Sequence, residues 1–505
     1  MHAEGRSAAF CLYCLLRQED CMKKTSIVIN FFMNFILTIS QFLFPLITFP
    51  YASRILGPEG TGAVAMGTNY VSYFTMIAML GVPVYGIRAC AAVRDDPKKL
   101  ARTIQELLII NLVMGAVAYT AFFLSLALVP SLRESHTLYA ICSAAILLNI
   151  LGMNWVYQAL EQYSYITGIS ILFKFLGLIA MFLTVRNAES TLAYAAVTVL
   201  SSFGAGLINF IHLRKLVRFT GKGPWNFRRH FRPILHFFAM SVATTVYTSL
   251  DVVMLGFMKN NTVVGYYNAA VKIKTILVSL VTSLGTVLLP RLSYYYENHE
   301  ISLFWSLVTR TFSFVFLFAV PCCLFFSVFA KDVILILSGD QFLPSIIPMI
   351  ILMPTILLIG LTNITGMQVL VPEKREVAVL ISVTAGAITD FILNLILIPF
   401  LDASGAAIGT LCAEIVVLIV QFYALKKHIP SLMRKVEWPW LIKALLPSLA
   451  VLVVCALFVN LAPFLRLVVG ALCFFGCCGL ILLLTKEPIV TSVLSRILHR
   501  KESLS

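Results

Sequence analysis

The chain has 505 residues, of which 60% are hydrophobic and only 12% are charged, and its mean hydropathy is +0.92. A water-soluble fold of this size carries about twice as much charge, so the composition excludes a soluble enzyme and indicates a polytopic membrane protein. The net charge is +15, but its placement along the chain, described below, argues against a nucleic-acid partner.

Residues 1–22 come before the first hydrophobic segment and read neither as a periodic helix nor as a clean signal peptide. Met22-Lys23-Lys24 directly ahead of a hydrophobic segment is a common bacterial opening, so we expect translation to begin there and treat 1–22 as an N-terminal extension. Cys11 and Cys14 form one C-x-x-C pair without a second pair or a histidine cluster. No metal site is therefore predicted.

About 14 hydrophobic segments follow, each close to the roughly 20 apolar residues that cross a hydrocarbon core of about 30 Å. The predicted spans are 27–49, 61–83, 104–129, 137–159, 165–185, 190–213, 234–258, 263–290, 304–330, 344–371, 376–399, 404–424, 441–462 and 464–485. The predicted fold class is all-α, with helices that span the membrane.

Basic residues lie mostly on one side of these spans. If the N-terminus is cytoplasmic, about 28 of the 38 Lys and Arg fall in cytoplasmic segments and about 6 fall outside. This bias predicts that both termini are cytoplasmic, with 486–505 as a tail. The most basic loop, 214–232, is expected to contact anionic membrane lipids.

The two halves of the chain resemble each other. Near 46–88 a span is followed by a Gly-rich turn and by a second span that closes at Pro83, and near 245–291 the same order closes at Pro290. Six spans precede the second copy, which predicts two six-helix lobes related by a pseudo-two-fold axis along the membrane normal, with a cavity between them. The predicted domains are an N-lobe at 23–225, a C-lobe at 226–430 and two appended spans in 431–485.

Polar residues recur on one helical face in four predicted spans. Because such residues are costly in a bilayer, an aligned stripe points at a cavity or at a neighbouring helix. The stripes are Asn30, Asn34, Thr38, Gln41 and Thr48; Asn69, Ser72 and Thr75; Ser241, Thr244, Thr248 and Asp251; and Asn268, Lys272, Thr275, Ser279, Thr282 and Thr286. Ordinary hydrogen bonding between helices is the alternative interpretation.

The basic residues near these stripes are candidates for binding an anion. An ammonium at mid-span costs roughly 2.5–3.5 kcal/mol on insertion scales, which favours a cavity-lining role for Lys272 over pairing with a carboxylate. Lys274 lies about 200° around the same helix and cannot share that stripe. Arg54, Arg88 and Lys174 are either cavity cations or ordinary interfacial side chains.

Three acidic residues in predicted spans are candidates for ion coupling. They are Asp251 in the seventh span, Asp390 in the eleventh and Glu414 in the twelfth. Each could take up a proton or a cation, or could be a buried hydrogen-bond partner.

Eight short segments between Met22 and Lys427 carry a family resemblance. They are Tyr51–Gly60, Leu80–Pro83, Tyr85–Arg88, Asn154–Glu161, Ser249–Asp251, Leu284–Arg291, Asn394–Pro399 and Gly405–Thr410. In this order and spacing the chain resembles a polysaccharide flippase of the multidrug/oligosaccharidyl-lipid/polysaccharide exporter superfamily.

The resemblance implies that an undecaprenyl-diphosphate-linked oligosaccharide moves from the inner to the outer leaflet of the bacterial cytoplasmic membrane by alternating access. It implies no enzyme activity and no cofactor, with a polysaccharide polymerase and glycosyltransferases as partners. A polymerase or ligase would need a long external loop, which the sequence lacks.

Two related functions remain open at this stage. Fourteen spans also match the lipid II flippase of the superfamily, and Arg54 and the Lys272 region resemble positions of its cavity arginines. Its second-span arginine has no counterpart in 78–82. A multidrug/cation antiporter is the other alternative, although such antiporters usually favour acidic or polar cavities.

Overall fold

The computed structural model describes residues 27–217, 225–435, 438–458 and 461–485. Regular structure in these ranges is helical throughout, without strands, which confirms the predicted all-α fold. The predicted N-terminal extension 1–22, Arg218 and Lys222 of the basic loop, and the predicted tail 486–505 lie outside the described residues.

The helices fall into a first half (27–217) and a second half (225–435), followed by two appended helices. The first half contains α1 (Ile27–Met79), α2 (Val82–Ala91), α3 (Pro97–Leu128), α4 (Pro130–Arg133), α5 (His136–Gly152), α6 (Asn154–Ala159), α7 (Tyr163–Thr184), α8 (Thr191–Phe203) and α9 (Ala205–Leu216). The second half contains α10 (Arg228–Met258), α11 (Asn261–Glu297), α12 (Ile301–Val328), α13 (Ala330–Ser338), a 3-10 helix (Asp340–Ser345), α14 (Ile346–Leu352), α15 (Thr355–Asn363), a π-helix (Ile364–Leu370), α16 (Glu376–Ala424) and α17 (Ile429–Lys435). The appended helices are α18 (Trp438–Phe458) and α19 (Pro463–Leu484).

Two helices are too long to be single spans. α1 has 53 residues and α16 has 49, and at about 1.5 Å per residue each exceeds twice the hydrocarbon thickness of about 30 Å. Each bends at one residue with positive φ, Gly57 (φ 65°) in α1 and Asp402 (φ 51°) in α16. Lys259 supports the second bend, because its Nζ lies 2.8 Å from Asp402 Oδ1 and donates to the Pro399 carbonyl at 2.7 Å.

Length and composition identify nine membrane-crossing helices in the described ranges, or up to eleven when each of two bent pairs is taken as one span. In that count α1 and α2 form one stretch, Phe32–Ala91, and the kinked helix α16 also counts once. The total of fourteen spans therefore remains a prediction.

One contact between the two halves joins backbone to backbone. A Cβ on Gly62 of α1 would lie 1.8 Å from the carbonyl oxygen of Asn261, and a Cβ on Gly265 of α11 would lie 2.0 Å from the carbonyl oxygen of Pro58. Side chains larger than hydrogen would force the helices apart, so glycine is required for this approach. We call Pro58, Gly62, Asn261 and Gly265 the glycine seam.

A second contact between the halves is ionic. Glu106 of α3 is 1% exposed, and its Oε2 accepts from Arg229 Nε at 3.1 Å, from Arg229 Nη2 at 2.8 Å and from His230 Nε2 at 2.8 Å. Its Oε1 accepts the backbone N–H of Asn226 at 2.9 Å, and the Tyr85 hydroxyl lies 2.8 Å from His230 Nδ1. With Tyr85 donating to Nδ1, the Nε2–H of His230 donates to the carboxylate. We call Glu106, Arg229 and His230 the glutamate seam.

The appended helices pack against the second half. Gly470 of α19 lies against Phe329, whose Cζ would be 2.5 Å from a Cβ on that glycine. Arg466 of α19 forms an ion pair with Asp332 of α13, with Nε 3.1 Å from Oδ1. The largest buried cluster takes in residues of both halves and of α19, including Phe122, Phe304 and Phe474.

Candidate functional site

A polar cavity of about 430 Å³ opens between α1, α5, α6, α7, α8 and α9, with one wall residue from α11. Polar side chains line much of it, which is unusual for a space inside a hydrophobic helix bundle. These side chains are Gln41, Thr48, Asn149, Asn154, Gln158, Ser170, Lys174, Thr198, Ser201, Ser202, Asn209 and Lys272. We call this cavity the lysine chamber.

Two ammonium groups, one from each half of the chain, line the lysine chamber. Lys174 of α7 donates to Ser40 Oγ at 2.7 Å and lies 6.0 Å from the centre of the Phe44 ring. Lys272 of α11 is partly buried. No ion pair joins either lysine to a carboxylate within the described part of the chain. Unpaired ammonium groups at this depth suit an anionic ligand.

A second cavity, also of about 430 Å³, continues the polar path towards the second half. It shares Asn149, Thr198, Ser202 and Phe203 with the lysine chamber. Its other polar lining comes from the predicted stripes and their neighbours: Thr68, Ser72, Thr75, Ser241 and Thr245. Hydroxyl-bearing faces of both halves thus meet at a common space.

Arg54, a predicted cavity residue, lies instead at a contact between the halves. Its Nη1 donates to the Pro50 carbonyl at 2.8 Å, and its Nη2 donates to the carbonyls of Leu335 and Ile336. A guanidinium suits this position because it donates in several directions and satisfies carbonyls near the end of α13, which helical bonding leaves free. Arg54 is not among the residues that line the lysine chamber.

Four other predicted binding residues bond or pack outside the two cavities. Asn69 Nδ2 donates to the Ala65 carbonyl at 2.8 Å. Thr275 and Ser279 donate to the carbonyls of residues 271 and 276 at 2.8 and 2.6 Å, so both hydroxyls bond back to their own helix. Arg88 is exposed, with its Cζ 5.1 Å from the centre of the Phe237 ring.

The first stripe is divided along α1. Asn34 is exposed and does not line the lysine chamber, whereas Gln41 and Thr48 do. The part of the predicted face nearer the bend of α1 therefore meets the cavity, and the part nearer its start does not.

The predicted acidic candidates come together on the opposite side of α11. Asp251 is 7% exposed and accepts from Asn394 Nδ2 at 2.7 Å, from Thr410 Oγ1 at 2.8 Å and from the Tyr267 hydroxyl. Asp390 is 2% exposed, and its Oδ1 has no hydrogen-bond partner among the described residues. This arrangement brings the buried carboxyl groups of Asp251 and Asp390 close together in the second half.

Two features complete this carboxylate cluster. A Cβ on Gly409 would lie 2.3 Å from Asn394 Oδ1 and 3.0 Å from Asp390 Oδ1, so the glycine leaves room beside both oxygens. Lys274 interacts electrostatically with Asp390 and with Glu414, which is 3% exposed. Lys274 thus faces the carboxylates, whereas Lys272, two residues earlier, faces the lysine chamber.

Three parts of these sites were not predicted from the sequence. Asn149 and Asn209 lie in no predicted stripe, and Asn154 and Gln158 were identified only as parts of a motif. Tyr267 also lay outside the predicted stripes. Glu106 and His230 were not identified either, although a carboxylate near the start of a predicted span was a usable signal.

Comparisons with known proteins agree with this architecture. A chain from Escherichia coli (strain K12) described as "Putative O-antigen transporter" is 25% identical over 386 residues, covering 75% of this chain and 91% of the relative. A protein of the same description from Shigella dysenteriae is 24% identical over 408 residues, covering 79% of this chain and 99% of the relative.

Two solved structures share the fold. "Lipid II flippase MurJ, inward closed conformation" matches with a TM-score of 0.64 and 14% identity over 89% of this chain and 99% of that one. The inward-facing conformation of a multidrug resistance MATE family transporter of the MOP superfamily matches with a TM-score of 0.59 and 14% identity over 80% and 99%.

A family model described as "Polysaccharide biosynthesis protein" matches residues 27–296. That range covers more than half of the chain and includes both lysines of the chamber and the first carboxylate of the cluster. The chain belongs to the polysaccharide biosynthesis protein family.

Proposed function

We propose that this protein is a flippase that moves an undecaprenyl-diphosphate-linked oligosaccharide across the bacterial cytoplasmic membrane. The observation that carries the proposal is the lysine chamber, a polar space inside the helix bundle that Lys174 and Lys272 both line and in which neither pairs with a carboxylate of the described residues. The family and the described O-antigen transporters support a substrate that belongs to polysaccharide assembly.

The chemistry of such a substrate matches the chamber. A diphosphate and its sugars cannot cross hydrocarbon unaided, and ammonium groups in a water-poor cavity form strong charge-assisted hydrogen bonds with phosphate oxygens. The polar lining replaces water around the sugars, while the prenyl chain stays in lipid. The protein makes and breaks no covalent bond in this step.

Movement of the diphosphate is favoured by the membrane potential. Two negative charges that move outward across an inside-negative potential release roughly 4.6 kcal/mol per 100 mV. The carboxylate cluster of Asp251, Asp390 and Glu414 offers a place for a cation or proton to return, so we propose that it couples export to an ion gradient.

We place the protein in the cytoplasmic membrane with both termini in the cytoplasm, because the basic segments lie on that side of the predicted spans. Glycosyltransferases there would supply the lipid-linked sugar and a polysaccharide polymerase outside would consume it. Co-purification with these enzymes after crosslinking tests the partnership.

Substitution of the two lysines tests the substrate. In a strain that lacks the chromosomal gene, Lys272→Ala and Lys174→Ala should each abolish surface polysaccharide and cause lipid-linked sugar to accumulate, although the protein still inserts. Lys272→Arg keeps the charge and should retain export. The matched control is Lys98→Ala, which removes an exposed lysine at the start of α3.

Three results would contradict the proposal. Normal export by both lysine variants removes the anion-binding role of the chamber. Drug resistance in the expressing strain, without any change in lipid-linked sugars, favours the multidrug/cation antiporter instead. Accumulation of lipid II in the deletion strain favours a peptidoglycan precursor as the substrate.

Substitution in the carboxylate cluster tests ion coupling. Asp390→Asn removes an ionisable carboxyl group but keeps the size of the side chain. In proteoliposomes, flipping by this variant should no longer respond to a proton or sodium gradient, whereas the response to membrane potential persists. An unchanged response to both gradients refutes the coupling role.

A further inference from the structure

Four amide side chains form one wall of the lysine chamber. Asn149 lies on α5, Asn154 and Gln158 lie on α6, and Asn209 lies on α9. We infer that this amide wall is a sugar subsite, which hydrogen-bonds the hydroxyl or acetamido groups of the sugars nearest the diphosphate. The inference rests on the proposed function and adds to it the part of the protein that selects the glycan.

Close helix packing builds the wall. A Cβ on Gly206 of α9 would lie 2.1 Å from the Leu148 carbonyl oxygen, so only glycine lets α9 lie against α5 at this point. Asn209 is three residues further along α9 and therefore on the same face. Met153 (φ 43°) separates α5 from α6 and places Asn154 at the first position of the new helix.

Hydrogen bonds then fix the amide of Asn209. The Tyr157 hydroxyl donates to the backbone carbonyl of Asn209 at 2.6 Å, and the side-chain Nδ2 of Asn209 donates to Asn154 Oδ1 at 2.9 Å. Asn209 is 1% exposed, and its Oδ1 has no partner in the described part of the chain. A buried acceptor without a donor costs about 1–3 kcal/mol, which a bound hydroxyl or N–H would recover.

The pair of asparagines offers a hydrogen-bonding group in either amide orientation. If both amides are turned over, a free NH2 group replaces the free oxygen of Asn209, and the pair still offers hydrogen-bonding groups to the chamber. Sugar hydroxyls donate and accept, so they suit either arrangement.

Charge separates the amide wall from a phosphate site. A phosphate oxygen carries negative charge and only accepts hydrogen bonds, so the ammonium groups of Lys174 and Lys272 attract it more strongly than neutral amides do. One cavity thus presents cations for the diphosphate and neutral amides for the sugars. A lipid that lacks the sugar leaves the amides unpaired, which is the basis of discrimination.

Binding to purified protein in nanodiscs tests the inference with two probes. One probe is undecaprenyl diphosphate, and the other is undecaprenyl diphosphate that carries the first sugars of the strain's own lipid-linked oligosaccharide. We expect Asn209→Ala and Gln158→Ala each to weaken binding of the glycosylated lipid about tenfold, which is the loss of one buried hydrogen bond, and to leave binding of the bare lipid unchanged. Asn298→Ala, at an exposed position after α11, is the control.

The outcomes separate this inference from the proposed function. Equal losses for both lipids, or no loss for either, would overturn the sugar subsite while the diphosphate site stands. If wild-type protein binds neither lipid, the proposed function fails and the subsite fails with it. Gln158 lies outside the asparagine pair, so its variant keeps the test valid if Asn209→Ala does not fold.

Discussion

Replacement of Glu106 by alanine should open the glutamate seam. His230, whose side chain is 2% exposed, would lose the acceptor of its Nε2–H, and an unsatisfied buried group of this kind costs about 1–3 kcal/mol. The side chain of Arg229 is 43% exposed and can return to water, so its lost ion pair adds about 1 kcal/mol or less. We expect the state in which the halves are docked to lose about 2–3 kcal/mol of stability relative to an open state in which they have separated. This change raises the population of the open state about 30- to 150-fold.

Cys90 is a native reporter of this opening. It is fully buried in the same cluster as Ile234, which lies one turn beyond His230 on α10. Ile234 is the second-half residue of that buried cluster, so we expect separation of the halves to expose Cys90 and its alkylation by a maleimide to follow the open population. Mass spectrometry of the Cys90 peptide over time should show labelling about 30- to 150-fold faster in Glu106→Ala than in the wild type.

The control removes a carboxylate that takes no part in the seam. Glu297 is exposed at the end of α11, and Glu297→Ala should label Cys90 at the wild-type rate. Cys473 of α19 is exposed and lies outside the seam, so its labelling corrects for reagent activity. If Glu106→Ala elutes as a folded protein and labels Cys90 no faster than the wild type, the seam does not hold the halves together.

Three further substitutions test the contacts between parts of the molecule. Gly62→Ala should lower the thermal unfolding midpoint in detergent through overpacking of about 1–3 kcal/mol, whereas Gly168→Ala, which has open space, should not; equal midpoints would refute the requirement for glycine. Arg54→Ala should lower the midpoint through the lost carbonyl contacts but keep binding of undecaprenyl diphosphate, and a loss of that binding would restore the predicted cavity role. Asp332→Asn should lower the free energy of unfolding by about 1.5–3 kcal/mol, measured by unfolding in mixed detergent. The exchange Asp332→Arg with Arg466→Asp should recover part of this loss. If the exchanged protein is no more stable than the single variant, the ion pair does not stabilise the contact.

The helical fold was predictable from local sequence because hydrophobic length alone requires it in a bilayer. The sequence Asp95-Asp96-Pro97 is typical of a helix start, and Asp96 caps α3 by accepting the backbone N–H groups of Lys98 and Lys99 at 3.1 Å. Those bonds, with Lys99 the largest contributor, hold the pKa of the Asp96 carboxyl below its usual value. The Gly-rich turn after the first predicted span coincides with the kink at Gly57, where φ is 65° and the backbone is not helical.

The positions of the site residues were predictable only where the helical period determines them. The 200° between Lys272 and Lys274 correctly separated their surroundings, since one lies in the chamber and the other faces the carboxylates. The position of Arg54 depended on which carbonyls α13 presents, nearly 300 residues later in the sequence. The amide wall required the approach of α9 to α5 at Gly206, and no local pattern specifies such a long-range contact.

The glutamate seam holds the halves in one arrangement, yet breaking the intact seam costs little free energy. When an intact seam parts, water rehydrates the carboxylate, the guanidinium and the imidazole together, so the groups exchange one set of polar partners for another. Truncation of one side chain has a different effect, because the remaining side chains stay buried without their hydrogen-bond partner. The seam therefore sets the register in which the halves dock. The free energy needed to break it is small enough for ligand binding to supply.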